Sequence, residues 1–504
     1  MVEALVALGG RVVFYGSVEG CEKLCRAAGG CEFVDLEGVA MPGFVDAHIH
    51  LSSLGRDLRQ IDLRGCRSIE EVKKRIREGL QSGRGVVGGW VYARGWDQEL
   101  FEERRLLSRW DLDEAVRDLP AIAIRVCGHL ATINSAALER LGTELLERFR
   151  NFVDLDERGE PTGVVREDAV GYIVERIIEA EGVEGVERDI EEAQRALLSS
   201  GVVGAGYMSV SPVELKAIAG LSARGLARLR MALYLDPETL KLLEALGLPS
   251  LRGVSIGCAD IAGIKVFADG SLGARTAYLS MPYSDDPGNR GAQLLSVEDL
   301  VRWCAKAREL GLDLAVHAIG DAAIDNVIRA VEETGFRLRI EHLSVVRDDQ
   351  LQKLAELRLR GSIQPHFIVT DWWVVDRLGP ERARWVYRFR DLVEAGIELG
   401  ISTDAPVEPF NPFETVYAAI DRGESLGLDI ARYTRNQGLD KATVLDLYTR
   451  GSANLCGLSD LGTLELGKRA SFIVVDRDPL EADIEELKKI RVLETYVDGY
   501  REYP

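Results

Sequence analysis

The sequence predicts an α/β protein: a (β/α)8 barrel, a small β-sheet (sandwich) domain assembled from both termini, and a large insertion after the first barrel strand. Three observations predict it. From about residue 200 onward, short β-like apolar runs alternate with longer amphipathic segments, the pattern of successive βα units around a parallel sheet. Far upstream, an apolar run entering through Pro42-Gly43 supplies one more strand of the same kind. Polar residues with chemical potential recur at or just after the C-terminal ends of these runs, which is where barrels carry their chemistry.

The first strand is Gly43–His50, closing on Asp46-Ala47-His48-Ile49-His50. The remaining strands are Val202–Met208, Leu229–Leu235, Ile261–Ala268, Leu312–His317, Arg339–Leu343, Ser362–His366 and Ile397–Thr403, separated by helices such as Leu300–Leu310 and Ala322–Glu333. Between the first two strands, residues 60–195 are too many for a loop in a compact barrel and contain helices of their own and a strand at Ala121–Val126. This insertion is expected to be a lid or side subdomain over the barrel mouth. At the ends, Ala4–Tyr15, Glu32–Leu36, Ala470–Asp476 and Val492–Asp498 alternate as half-exposed strands do. Residues 1–40 and 455–504 are therefore expected to form one composite β domain beside a barrel spanning 41–454.

With 504 residues, 46% of them hydrophobic, the chain can bury a large core. A formal net charge of -20 argues against nucleic acid and anionic membranes as partners, because both need basic clusters. A small neutral or cationic molecule is the natural substrate, and a homodimer is compatible with the sequence. No run reaches the roughly 18 to 20 apolar residues of a spanning helix, and no basic stretch precedes an apolar one at the N-terminus, so the expected location is cytoplasmic. The eight cysteines include no CxxC pair; Cys21, Cys25 and Cys31 are read as ordinary buried thiols, with a disulfide allowed if the source is a hyperthermophile.

On a regular strand, residues two apart share a face, so Asp46, His48 and His50 are expected to point together into the barrel, where one cation can bind both imidazoles. Imidazole suits zinc, iron, nickel or manganese, and a catalytic ion keeps one position open for a water that loses its proton near neutral pH. His317 (in LAVHAIGD), His342 (in RIEHL) and Asp404 (in ISTDAP) each follow an apolar strand, where a polar side chain needs a partner or a metal to offset its desolvation. Lys265 and Asp269 end the fourth strand and His366 the seventh. Asp269 either binds substrate or sets the glycine-rich turn after it; His366, Trp96 and Trp372 are candidates for substrate contact, with core packing the competing role of the tryptophans.

The order of motifs, PGFVDAHIH first, then a lysine, two histidines and an aspartate after later strands, resembles the amidohydrolase superfamily. GWDQ (Gly95–Gln98), CGHLATINSAAL (Cys127–Leu138), KVFADGSLGARTA (Lys265–Ala277), HAIGDAA (His317–Ala323) and STDAPVEPFNP (Ser402–Pro412) are similar to its N-substituted formamide deformylase-like, or YtcJ-like, branch. The resemblance implies a TIM barrel of the metal-dependent hydrolase type. It implies that His48, His50, Lys265, His317, His342 and Asp404 serve one or two divalent ions, most naturally zinc, with Lys265 carboxylated to bridge two. It also implies that His129 touches the substrate carbonyl or leaving group.

A lysine amine among apolar neighbours and cations has its pKa lowered, which makes carboxylation chemically reasonable. The expected reaction is cleavage of an amide or formamide C–N bond by activated water. Asp404 accepts the water's proton and passes it to the leaving amine, and His317 assists. A deaminase or cyclic-amide hydrolase would use the same ligands. A metal-binding barrel without catalysis is the alternative of another class, and Asp404 argues against it.

Overall fold

Eight short runs rich in β-branched and small apolar residues form one parallel sheet: β1 (Phe44–Ile49), β2 (Val202–Val210), β3 (Arg230–Leu235), β4 (Ala259–Phe267), β5 (Asp313–Ala318), β6 (Arg339–His342), β7 (Arg360–Ile363) and β8 (Glu398–Ile401). Each pairs with the next in sequence order. Hydrogen bonds from Asp404 N to His48 O (2.9 Å) and from His50 N to Ala405 O (3.0 Å) tie the end of β8 to that of β1, so the sheet curls into a (β/α)8 TIM barrel. The structure is a computed structural model that describes residues 3–125, 130–245, 247 and 250–504.

The strands read as nearly continuous apolar runs because helices cover their outer face while side chains fill the interior. Those helices begin and end where local chemistry dictates. Val297–Leu310 starts at a capping box of Ser296 and Asp299 and stops at Gly311, whose left-handed backbone an L side chain would resist. Inside the barrel, Val45 and Ala47 pack with Ala232, Tyr234 and Ala315, and Leu455, Cys456 and Leu461 complete this core.

At the termini, Val39–Pro42, Phe472–Val475, Val492–Val497 and Tyr500–Tyr503 form a four-stranded antiparallel sheet in which Phe472–Val475 and Val492–Val497 are central. The hairpin Ala4–Leu8 with Arg11–Gly16 attaches by Val12 N to Lys468 O and Ala470 N to Gly10 O. Glu32–Leu36, expected as a strand, is irregular; Val39–Pro42 takes its place, because only the segment leading directly into β1 lies in register with Phe472–Val475. Cys25 and Cys31 form a disulfide with Cα atoms 5.3 Å apart, correcting the reading of ordinary thiols, while Cys21 is free and buried.

The chain divides into two compact units, Met1–Leu51 with Gln194–Pro504, and Ser52–Ala193. The second has its own mixed sheet, with Trp90–Trp96 paired to Ala121–Arg125 and that strand paired to Leu130–Ile133. Both faces of this sheet are covered: Val91, Ala93 and Trp96 belong to one apolar cluster, and Trp90, Tyr92 and Ile122 to another.

Candidate metal centre

Three potential ligands converge where β1 and β8 end. Asp404 Oδ1 lies 3.3 Å from His48 Nε2 and 3.2 Å from His50 Nε2, and the ligand atoms of the three residues all fall within 4.8 Å of one another. His342 joins from β6, its ring 5.1 Å from that of His48, and His317 from β5, 4.4 Å from His342.

The backbone departs from regular strand geometry to achieve this. Opposite Ala205–Tyr207 of β2, the first strand advances from Asp46 to Ile49, a bulge that inserts one extra residue. As a result Ala47 and His48 both serve the barrel side, and Asp46 does not share their face, contrary to the alternation expected from sequence. Instead Asp46 accepts hydrogen bonds from Thr403 Oγ1 (2.5 Å), Thr403 N and His48 N, and lies against Tyr448. Burial pushes its carboxyl up to about 7, offset by the hydrogen bonds from Thr403 and His48. His342 and Asp404 sit at φ 82° and 59°, left-handed values that cost an L residue energy and here turn both side chains toward the centre.

His48, His317 and His342 each have their tautomer assigned by a neighbour. His48 Nδ1 contacts Glu341 Oε2 at 2.6 Å, so its Nε2 lone pair faces Asp404 and the other ligands. Glu341 is itself held by Arg339 (2.6 and 3.1 Å), whose guanidinium also donates to Ala47 O and the Tyr234 hydroxyl; Arg339 and Glu341 are fully buried. His317 Nε2 donates to Gly270 O (2.9 Å), and His342 Nδ1 to Gln364 Oε1 (2.9 Å). Burial, then the Lys265 charge, holds His48 well below its ordinary value and His317 down at about 3; burial and His317 do the same to His342. These are neutral imidazoles, the form that binds cations.

Lys265 is 1% exposed and its Nζ has no hydrogen-bond partner among the described residues. Burial pulls its pKa down to about 8, against the raising pull of Glu341 and then Asp404. An orphaned buried amine beside three clustered donors and neutral imidazoles fits a site built around a divalent cation.

Other sequence candidates fall elsewhere. Asp269 takes the structural one of its two expected roles: its carboxylate accepts N–H donors from Tyr278, Ile319 and Gly320 and so ties the loop after β4 to the end of β5. Trp96 is no pocket wall either; it is fully buried in the core of the inserted unit, stacked on Phe101 with its N–H given to Ala123 O. Trp372 is 62% exposed. His366 follows β7 and bonds Glu408. His129 lies outside the described residues. A cavity of about 870 Å³ lined by Met281, Trp385 and Tyr433 contains none of the strand-end residues. Sequence reasoning missed Glu341 and Arg339; the available signal was a pair of opposite charges two apart within an apolar strand.

A profile of the amidohydrolase family matches residues 32–502. An uncharacterized metal-dependent hydrolase from Pyrococcus horikoshii OT3 superposes with a TM-score of 0.84 at 41% identity, over 95% of each chain. Putative amidohydrolase YtcJ of Bacillus subtilis (strain 168) is 31% identical over 93% of this chain and 90% of its own. The N-substituted formamide deformylase of Arthrobacter pascens is 26% identical over 99% of this chain and 95% of its own. Among the described residues no helix is long and apolar enough to cross a membrane.

Proposed function

The chain belongs to the amidohydrolase family as a metal-dependent hydrolase, and from that premise we propose that it cleaves the C–N bond of an amide or N-substituted formamide. The carrying observation is the cluster of His48, His50 and Asp404, with Asp404 Oδ1 within 3.3 Å of both imidazoles. His48, His50 and Asp404 would hold a first ion, most naturally zinc, and His317, His342 and Lys265 a second ion or the substrate. A divalent ion there supplies a Lewis acid for the substrate carbonyl and lowers the pKa of water toward neutrality.

The protein's own groups do the rest. Glu341 keeps His48 in the tautomer that presents Nε2, and Arg339 holds the Glu341 carboxylate in place through two hydrogen bonds. Asp404 accepts the proton that the attacking water loses. Gln364 orients His342 as Gly270 O orients His317. With its pKa near 8, Lys265 has a usable fraction of free amine, so its nitrogen can bond carbon dioxide and lose a proton to give a carbamate. The aqueous, intracellular setting and the small-molecule substrate suggested by the acidic sequence are part of the same reading.

The test pairs elemental analysis of the wild type and Asp404→Asn with a hydrolysis screen on formamides, N-acyl amines and cyclic amides. Divalent ion retained in both proteins, with activity lost only in the variant, is the expected result. A protein that takes up no stoichiometric metal after repletion overturns the reading.

A further inference from the structure

A second cluster of titratable side chains lies at the same end of the barrel, outside the ligand set. His366 follows β7, and Glu408 follows the turn that Val407 N closes onto Asp404 O. His366 Nδ1 hydrogen-bonds Glu408 Oε2, and Thr370 Oγ1 donates to Glu408 Oε1 at 2.5 Å. The glutamate side chain is 2% exposed and the imidazole 14%. Both carboxylate oxygens are thus engaged, while His366 Nε2 has no hydrogen-bond partner among the described residues. The loop carrying His366 is held against the metal centre on both sides of it: Gln364 bonds His342, and the Phe367 ring lies 6.3 Å from that of His342.

We propose that His366 is the acid that protonates the departing nitrogen, and that Glu408 is its positioning residue, fixing the ring and stabilising its imidazolium. The inference rests on the hydrolase reading above and replaces Asp404 as donor to the leaving amine. As the C–N bond breaks, its electron pair stays on nitrogen, and the His366 Nε2 proton passes to that nitrogen. The neutral imidazole keeps its Nδ1–H on Glu408 and takes a new proton from solvent at its exposed edge, while Asp404 releases the water's proton to solvent. One proton enters and one leaves per turnover.

The need is chemical, because an amine expelled without a proton is a very strong base and a poor leaving group. The other groups facing the pair are Thr370 and, behind Glu408, Asp371 with the Tyr387 hydroxyl on its carboxylate and Arg377 nearby. Burial holds Asp371 up at about 7, and the carboxylate in direct contact with the His366 ring is that of Glu408.

The experiment compares the zinc-loaded wild type, His366→Gln and Glu408→Gln on N-formylbenzylamine and N-formyl-4-nitroaniline, with the His366 imidazole titrated by ¹⁵N NMR. His366→Gln should lose roughly 100-fold in kcat/KM on the benzylamine and less than about fivefold on the nitroaniline, whose leaving group needs little proton help. Glu408→Gln should move both the alkaline limb of kcat/KM and the NMR titration to lower pH, at unchanged metal content. Thr370→Val, which removes a hydrogen bond from the carboxylate and strengthens its pull on the ring, should move both to higher pH and serves if Glu408→Gln does not fold. Equal losses on the two substrates, or a His366 titration that neither variant shifts, overturns the proposal. A zinc-loaded wild type that cleaves neither formamide would instead overturn the hydrolase reading, and the NMR titration still judges the His366 and Glu408 pair on its own.

Discussion

Glu341 sits in the middle of an apolar strand and is fully buried, a placement that is unfavourable unless its charge is paired and its oxygens are hydrogen-bonded. Arg339 supplies the opposite charge and His48 Nδ1 a hydrogen bond, and that makes Glu341 the joint between the barrel core and the metal centre. Glu341→Gln would strand Arg339 as an uncompensated buried cation and release the His48 ring. We expect stability to fall by about 3–5 kcal/mol and metal affinity by about 10- to 100-fold, read by urea denaturation and by competition with a chromogenic chelator. Unchanged affinity would reduce Glu341 to a purely structural role. Asp371 gives a test with pH. Burial raises its carboxyl from 3.8 to about 7, so the folded protein holds the proton more tightly than the unfolded chain, and stability falls as pH rises across that window. Asp371→Asn cannot titrate; its urea midpoint should change less between pH 5 and pH 8 than that of the wild type. Parallel pH dependence in the two proteins would contradict the assignment.

At the scale of elements, the decisive feature is the bulge in β1. Strand alternation read from the sequence puts Asp46 beside His48; the extra residue removes Asp46 to the Thr403 side and turns His48 inward. The bulge needs room on the neighbouring strand, and Gly206 of β2 provides it: a Cβ there would lie 2.3 Å from Ala47 O and 3.0 Å from Cys456 Sγ. Gly206→Ala should therefore cost about 3 kcal/mol and disturb metal binding, since the carbonyl it pushes belongs to the residue before His48. A variant with wild-type melting temperature and metal content would show that β1 can relax without the glycine. The helices and strand order of the barrel were legible because periodicity and caps are local properties, as at Ser296 and Gly311. The terminal sheet was legible only in part: Glu32–Leu36 alternates like a strand, yet pairing is decided by which segment can reach Phe472–Val475.

At the scale of the whole molecule, the ligand set draws on distant strands, with β1 and β8 joined through His48, His50 and Asp404. A cation held there also holds the barrel closed, so chelation should lower the melting temperature reversibly, by a margin equivalent to about 4 kcal/mol at a metal concentration 1,000 times Kd. Scanning calorimetry before and after chelation and after zinc addition measures it, and an unchanged transition would show that the cation does not bridge the seam. Of the six histidines in the chain, His48, His50, His317 and His342 meet at one centre. By itself the sequence determined the barrel, the insertion and the identity of the strand-end residues, because apolar periodicity and strand-end polarity are written residue by residue. Only the tertiary structure decided that Glu341 stands behind His48, that Asp269 ties a loop and that Trp96 fills a core. Those roles depend on which side chains from distant strands come within hydrogen-bond reach, which local pattern does not encode.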